Sequence, residues 1–150
     1  MKALEIAKRI LNYQLLDYTL EISHLKLQKL LFYCQAYHLS ISGEPLFEDD
    51  ILAWDYGPVV RSVYENYKKH DSSIISVKKE LKSEDISATS IGVISTVMGA
   101  YSKFSAIELM GMTHSERPWQ EAYARKGKDK IISQDSMKNY YKQFLTNEKQ

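Results

Sequence analysis

The spacing of apolar residues between positions 3 and 41 decides what this chain can fold into. They recur three and four positions apart, which places them on one stripe of a helix but would scatter them over both faces of a strand. The spacing predicts a helix over about 2–17 and a second one that begins after Ser23, a plausible N-cap, and stops at Gly43. The stripes consist of Ala3, Ile6, Ala7, Ile10, Leu11 and Leu15, and then of Leu27, Leu30, Leu31, Cys34, His38 and Ile41.

The second predicted helix carries a polar stripe beside its apolar one. Lys26, Lys29, Tyr33 and Tyr37 follow one another at spacings of three and four, so two ammonium groups and two phenols share one side of the helix. We expect this stripe to form either exposed surface or an interface.

Shorter elements are predicted downstream. The apolar run 51–54 is too brief for a helix and predicts a strand or an extended stretch. Gly57 and Pro58 predict the start of a third helix, because proline suits the first helical position, and the cations at 68–70 suit its end. The β-branched residues at 74–77 predict another short extended segment.

The remaining apolar patterns are again helical. Helices are predicted over 87–101, from Ser105 to Gly111, over 117–124 and over 134–145. In the first of these, Gly92 and Gly99 are expected to let a neighbouring element approach closely. The sequence therefore predicts a mainly α fold. We expect a single-domain helical bundle of about six or seven helices over residues 1–150, with a small extended or two-stranded β element inserted.

Charge and cysteine usage exclude several classes of function. Twenty Lys and Arg residues face nineteen Asp and Glu residues, and the net charge of +1 provides no broad field for nucleic acid or an anionic membrane. Cys34 is the single cysteine, so no internal disulfide and no zinc site with several cysteines can form. Residues 1–10 lack the apolar core of a secretory signal, and no apolar run approaches the roughly 20 residues of a membrane span. We expect a cytoplasmic protein.

The sequence contains none of the common catalytic or cofactor motifs. Its four histidines stand far apart and form no local metal-ligand set, and no glycine-rich phosphate loop or hydrolase motif is present. We therefore expect no metal, no cofactor and no catalytic residue. The acidic run 48–50 and the basic cluster of Arg125, Lys126, Lys128 and Lys130 are interpreted as solvated loops.

Two stretches with large aromatic residues leave two interpretations open. One reads Ala-Trp-Asp-Tyr-Gly-Pro-Val-Val over 53–60, and the other reads Thr-His-Ser-Glu-Arg-Pro-Trp over 113–119. Both could be packed corners, with Trp54 and Trp119 in the core. Alternatively, Tyr56, His114 and Arg117 could line a shared surface pocket.

Together with Leu-Gln-Lys-Leu-Leu-Phe-Tyr at 27–33, Pro-Leu-Phe at 45–47 and Val-Tyr at 63–64, these stretches resemble the Panacea domain. This is the family of SocA-like antitoxins and phage-associated GepA-type proteins, and the resemblance covers residues 25–123. It implies a mostly helical domain that neutralises a cognate protein toxin encoded next to it. The neutralisation would proceed by direct binding, or by handing the toxin to an ATP-dependent protease as an adaptor.

The resemblance also implies roles for individual residues. Those that match the family's motifs are Lys29, Tyr33, Trp54, Tyr56, Gly57, Pro58, Val59, Tyr64, His114, Pro118 and Trp119. The candidates for partner contact are Lys26, Lys29, Tyr33, Trp54, Tyr56, His114, Arg117 and Trp119. A structural role is expected for Gly57, Pro58, Val59, Tyr64 and Pro118. The chain has Arg61 where many relatives are expected to have proline, which bears only on the first turn of the third helix.

Two alternatives to a toxin-binding domain follow from the residues. An enzyme of an unrecognised kind would use His114 with Glu116 or Glu121, which are close in sequence. A nucleic-acid-binding regulator would use the stripe with Lys26 and Lys29, although the near-neutral charge argues against it.

Overall fold

The computed structural model describes residues 1–70, 72–127 and 130–148 and confirms a mainly α fold. These residues form seven α-helices and one two-stranded sheet. In chain order the elements are α1 (Ala3–Asn12), α2 (His24–Ser42), β1 (Leu52–Trp54), β2 (Gly57–Val59), α3 (Arg61–Tyr67), α4 (Ala88–Tyr101), α5 (Ala106–His114), α6 (Arg117–Tyr123) and α7 (Gln134–Glu148). Short 3-10 helices at Tyr13–Leu15 and Lys68–His70 extend α1 and α3.

Helix α2 lies at the centre of the fold. Fifteen of its 19 residues are buried, since α7, α4, α1 and α5 all pack against it. As predicted, the Ser23 hydroxyl accepts a hydrogen bond from the Lys26 backbone N–H at 3.3 Å, and Gly43 ends the helix with a φ of +80°. Buried Cys34 lies in this helix, and burial raises the pKa of its thiol.

Buried amide side chains of α2 bind the chain segments around it. The Gln35 side chain accepts hydrogen bonds from the backbone N–H groups of Leu46 and Phe47 and donates one to the Phe47 carbonyl. The Gln28 side chain accepts from the Val60 N–H at 2.8 Å and also donates to its carbonyl. These bonds satisfy backbone groups that enter the core outside regular structure.

The sheet corrects one prediction. Pro58 does not start a helix. It belongs to β2, which pairs antiparallel with β1 so that Pro58 stands opposite Ala53. The Ala53 N–H points away from this ladder and donates to the Lys130 carbonyl at 2.8 Å, so the missing N–H of Pro58 leaves no ladder bond unmade. Helix α3 begins only at Arg61.

The structure also contradicts the predictions made for three glycines. Helix α5 does not stop at Gly111 but continues to His114, because its capping box at Ser105 and Glu108 fixes the start and no left-handed residue breaks the helix. Gly92 and Gly99 do not mark a close approach of a neighbour, since a Cβ atom at either position would meet nothing within 4 Å.

Two other predicted segments have mixed outcomes. The segment 74–77 forms no strand, and only Ile74 makes an isolated bridge, to Ser23. In the basic cluster, Arg125 and Lys126 are exposed, as expected of a solvated loop, and Lys128 lies outside the described residues. No helix in the described part of the chain is long and apolar enough to cross a membrane.

Candidate functional site

The two aromatic stretches of the sequence meet in the structure. Helix α6 packs on β1, and the Trp119 indole N–H donates to the Trp54 carbonyl at 3.0 Å. Pro118 lies in the first turn of α6, where its missing N–H leaves no helical hydrogen bond unmade. The Trp54 ring in turn contacts the edge of Tyr64 on α3. One corner of the molecule therefore joins the hairpin, α3 and α6.

A ladder of stacked rings runs along this corner. The centroids of His114 and Trp119 are 4.0 Å apart, and those of Trp119 and Tyr123 are 4.5 Å apart. The Lys130 ammonium stands 4.3 Å from the Tyr123 ring centroid, and the Tyr123 hydroxyl donates to the Asp55 carboxylate beside β1. The ring contacts join α5 to α6, and the Trp119–Trp54 and Tyr123–Asp55 hydrogen bonds hold the hairpin against the ladder.

The hairpin turn carries an exposed large aromatic residue, Tyr56. The Tyr56 side chain is 69% exposed, in contrast to Trp54 and Trp119, which are half-buried. The Arg117 side chain on α6 is exposed, with its Nε atom 3.9 Å from the Glu121 carboxylate and its guanidinium 6.0 Å from the Tyr140 ring centroid. Both tryptophans brace the corner, and Tyr56 and Arg117 face solvent.

The polar stripe of α2 is not on the surface, so this part of the prediction is wrong. Lys29 and Tyr33 are completely buried, and Lys26 is 7% exposed with its ammonium donating to the Ser102 carbonyl at 2.6 Å. The stripe is covered because α2 has neighbours on every side, which a spacing pattern within one helix does not reveal. The nucleic-acid alternative needs Lys26 and Lys29 exposed, and their burial contradicts it.

Lys29 ties α2 to the hairpin. Its ammonium donates to the Pro58 carbonyl at 3.3 Å, and burial lowers the pKa of this amine to about 7. The adjacent Gly57 has a φ of +109°, and a Cβ atom there would lie 2.7 Å from Lys29 Cε and 3.1 Å from Thr113 Oγ1. A residue without a side chain is required at position 57, both for its backbone angle and for the space that Lys29 fills.

A half-buried carboxylate, that of Glu116, lies beside Tyr33 on α2. Glu116 Oε1 accepts hydrogen bonds from the Tyr33 hydroxyl at 2.7 Å and from the Tyr141 hydroxyl at 2.8 Å. Burial raises the pKa of Glu116, and the two phenol hydrogen bonds act against this rise. The Tyr33 ring stacks on Tyr101 with centroids 4.1 Å apart. From the sequence, Glu116 was expected only as a catalytic partner of His114. The one local signal for another role is its position directly before the helix start at Arg117-Pro118.

The proposed histidine–glutamate pairs are not formed. Among the described residues, His114 Nε2 is buried and has no hydrogen-bond partner. Glu116 binds the two phenols, and Glu121 binds Arg117 and Ser136. In the same residues, no group of three or more His, Cys, Asp or Glu side chains could hold a metal ion.

A family model described as antitoxin SocA-like, Panacea domain, matches residues 27–120. The chain belongs to this family. The matched Panacea domain runs from α2 to α6 and contains the hairpin, Glu116 and the His114–Trp119 stack, whereas α1 and α7 lie outside it. Tyr141, which binds Glu116, is thus supplied from beyond the matched region. Neither the curated proteins nor the solved structures contain a match to the chain.

Proposed function

We propose that this protein is an antitoxin that binds a protein toxin directly and blocks it with the corner formed by the hairpin and α6. Membership of the SocA-like antitoxin family supports an antitoxin role. The observation that carries the choice of surface is the 69% exposure of Tyr56 on a turn that is braced from both sides. Tyrosine and arginine, with tryptophan, are enriched among the few residues that carry most of the binding energy of protein interfaces.

The braced corner favours tight binding. The Trp119–Trp54 and Tyr123–Asp55 hydrogen bonds hold the segment before Tyr56 in place before any partner arrives, and the Lys29–Pro58 hydrogen bond holds the segment after it. An anchor that is already ordered loses little conformational entropy on binding. Arg117 on α6 is a second exposed residue that could anchor a partner. In this proposal Trp54, His114 and Trp119 support the surface, and Tyr56 and Arg117 make the main contacts.

Occlusion is the mechanism that we propose, because a preformed surface suffices for it. Burying the toxin's active site under this corner would neutralise the toxin without a further component. Delivery to an ATP-dependent protease would need a second surface for the protease, and the amount of toxin would then fall when both proteins are present. The binding role requires no chemical step at His114 or Glu116.

Growth measurements test the proposal. Each gene that flanks this one is induced alone and then together with this chain. We expect one neighbour to arrest growth and co-induction to restore it, with both proteins recovered in one complex and the toxin's amount unchanged. Restored growth with a falling toxin level would replace occlusion by delivery to a protease. If no neighbour arrests growth, a toxin encoded beside the gene is excluded, and the antitoxin proposal fails in this form.

A further inference from the structure

A shallow cleft beside Glu116 lies outside the hairpin turn that carries Tyr56. It lies between α5, the connection before α5 and the middle of α7. The side chains and the glycine that line it include Phe104, Glu108, Gly111, Met112, Glu116 and Tyr140. The cleft therefore combines two carboxylates with two aromatic rings and a thioether.

One oxygen of the Glu116 carboxylate is left for a ligand. Both tyrosine hydroxyls bind Oε1, and Oε2 has no hydrogen-bond partner among the described residues. No Lys, Arg or His in those residues makes an ion pair with this carboxylate. Two hydrogen bonds fix the position of the carboxylate, so its free oxygen is preorganised for a donor.

The rest of the cleft adds charge and flat apolar surface. Glu108 accepts a hydrogen bond from the Ser105 backbone N–H, which lowers the pKa of this carboxyl and keeps it ionised. The guanidinium of Arg117 stands 6.0 Å from the Tyr140 ring centroid, at the outer limit of a cation–π contact. Gly111 leaves the α5 side of the cleft open, since a Cβ atom there would meet nothing within 4 Å.

We propose that this cleft binds the guanidinium of an arginine side chain from the partner protein. A guanidinium presents several donors in one plane, which suits the free Glu116 oxygen, and its faces suit the rings of Phe104 and Tyr140. An ammonium would gain the charge attraction but not the stacking. The inference rests on the proposed function in one respect, which is that the arginine belongs to the toxin.

The site can be tested without any toxin. N-acetyl-L-arginine amide is titrated into the 15N-labelled full chain, and backbone amide shifts are followed by NMR. We expect saturable shifts at α5 and Glu116, with weaker binding of N-acetyl-L-lysine amide and none of the uncharged citrulline analogue. Absence of saturable shifts at these positions, or equal binding of the citrulline analogue, would overturn the proposal.

Matched variants separate charge from shape. Glu116→Gln keeps an acceptor for both phenols but removes the negative charge, and we expect it to weaken arginine binding by about tenfold or more. Gly111→Leu leaves the carboxylate untouched and fills the cleft, so it should abolish the shifts even if Glu116→Gln proves unstable. Glu65→Gln on α3 removes an exposed carboxylate and should bind like the wild type. Wild-type binding by folded Gly111→Leu, or by folded Glu116→Gln, would refute the assignment.

The two proposals fail in different experiments. If a neighbouring gene arrests growth and this chain restores it, but arginine does not bind, the antitoxin proposal stands and the cleft proposal fails. If arginine binds but no neighbouring gene arrests growth, the cleft stands as a guanidinium site and the proposal of a toxin encoded beside the gene fails.

Discussion

Gly57 packs so closely against Lys29 that a Cβ atom at position 57 would lie 2.7 Å from the Lys29 Cε atom. This contact joins the hairpin to the central helix. Because Gly57 also has a φ of +109°, we expect Gly57→Ala to lower the free energy of unfolding by about 2–4 kcal/mol. Urea denaturation measures the change.

Gly99→Ala is the control for this substitution. Gly99 lies inside α4 with open space around it, so alanine there should raise the free energy of unfolding by about 0.5–1 kcal/mol. A Gly57→Ala protein as stable as the wild type would show that the Lys29 side chain can move away from the new Cβ atom without loss of stability.

Burial of Lys29 should make stability depend on pH. Burial lowers its pKa from 10.5 to about 7, so between these values the unfolded chain binds more protons at this amine than the folded chain does. Stability therefore rises with pH in this window, by up to about 1.4 kcal/mol per pH unit, and the full cost of the buried ammonium is present below pH 7.

Lys29→Met should remove this slope, because methionine fills the space without a titrating group. Unfolding free energies of the two proteins are compared between about pH 7.5 and 9.5. The comparison stops there because burial raises the pKa of Tyr33 and Tyr141, so the unfolded tyrosines ionise first above pH 10 and lower stability. Parallel curves for Lys29→Met and the wild type would contradict the low pKa.

The Tyr141–Glu116 hydrogen bond should contribute measurably to stability. Tyr141→Phe leaves the half-buried Glu116 carboxylate with one donor fewer, and we expect a loss of about 1–3 kcal/mol in the free energy of unfolding. In a Glu116→Gln background the same substitution should cost less, since the acceptor is then neutral. A double-mutant cycle by urea denaturation gives the coupling, and a coupling of zero would mean that the bond is not formed in solution.

Tyr56→Ala should abolish the restoration of growth by this chain in the presence of the toxin, while leaving the domain folded. An exposed side chain contributes little to stability, so the free energy of unfolding should change by less than about 0.5 kcal/mol, but loss of an interface anchor should weaken binding by about tenfold or more. Tyr18→Ala is a matched control, because Tyr18 is 94% exposed and lies outside the matched family region. Equal rescue by both variants would exclude Tyr56 as an anchor.

Local signals in the sequence were sufficient for most of the fold. Ser23, Ser87 and Ser105 each accept a hydrogen bond from the backbone at a helix start, as their residue types predict, and Gly43 ends α2 in the left-handed region. The short apolar run before Asp55 became β1. These features depend on neighbours within four or five positions, so a single sequence contains the information.

The features that were missed depend on contacts distant in sequence. Lys29 is a lysine on a helix, which normally indicates an exposed position, and only the hairpin and α5 packing above it bury the amine. Pro58 occurs in a pattern that suits a helix start, and β2 tolerates it because the N–H of the opposite residue, Ala53, donates to the Lys130 carbonyl instead. The hydrogen bonds that hold the Glu116 carboxylate come from Tyr33 and Tyr141, on two other helices.

The central position of α2 has a consequence for synthesis on the ribosome. Helix α7 makes the most extensive contact with α2, yet it follows every other described element in the chain. While the chain is growing, the side of α2 that carries Phe32 has no cover, because Tyr141 has not yet emerged. The core therefore closes only after translation has passed α7, and a nascent chain shortened by a premature stop would expose that apolar side to proteases.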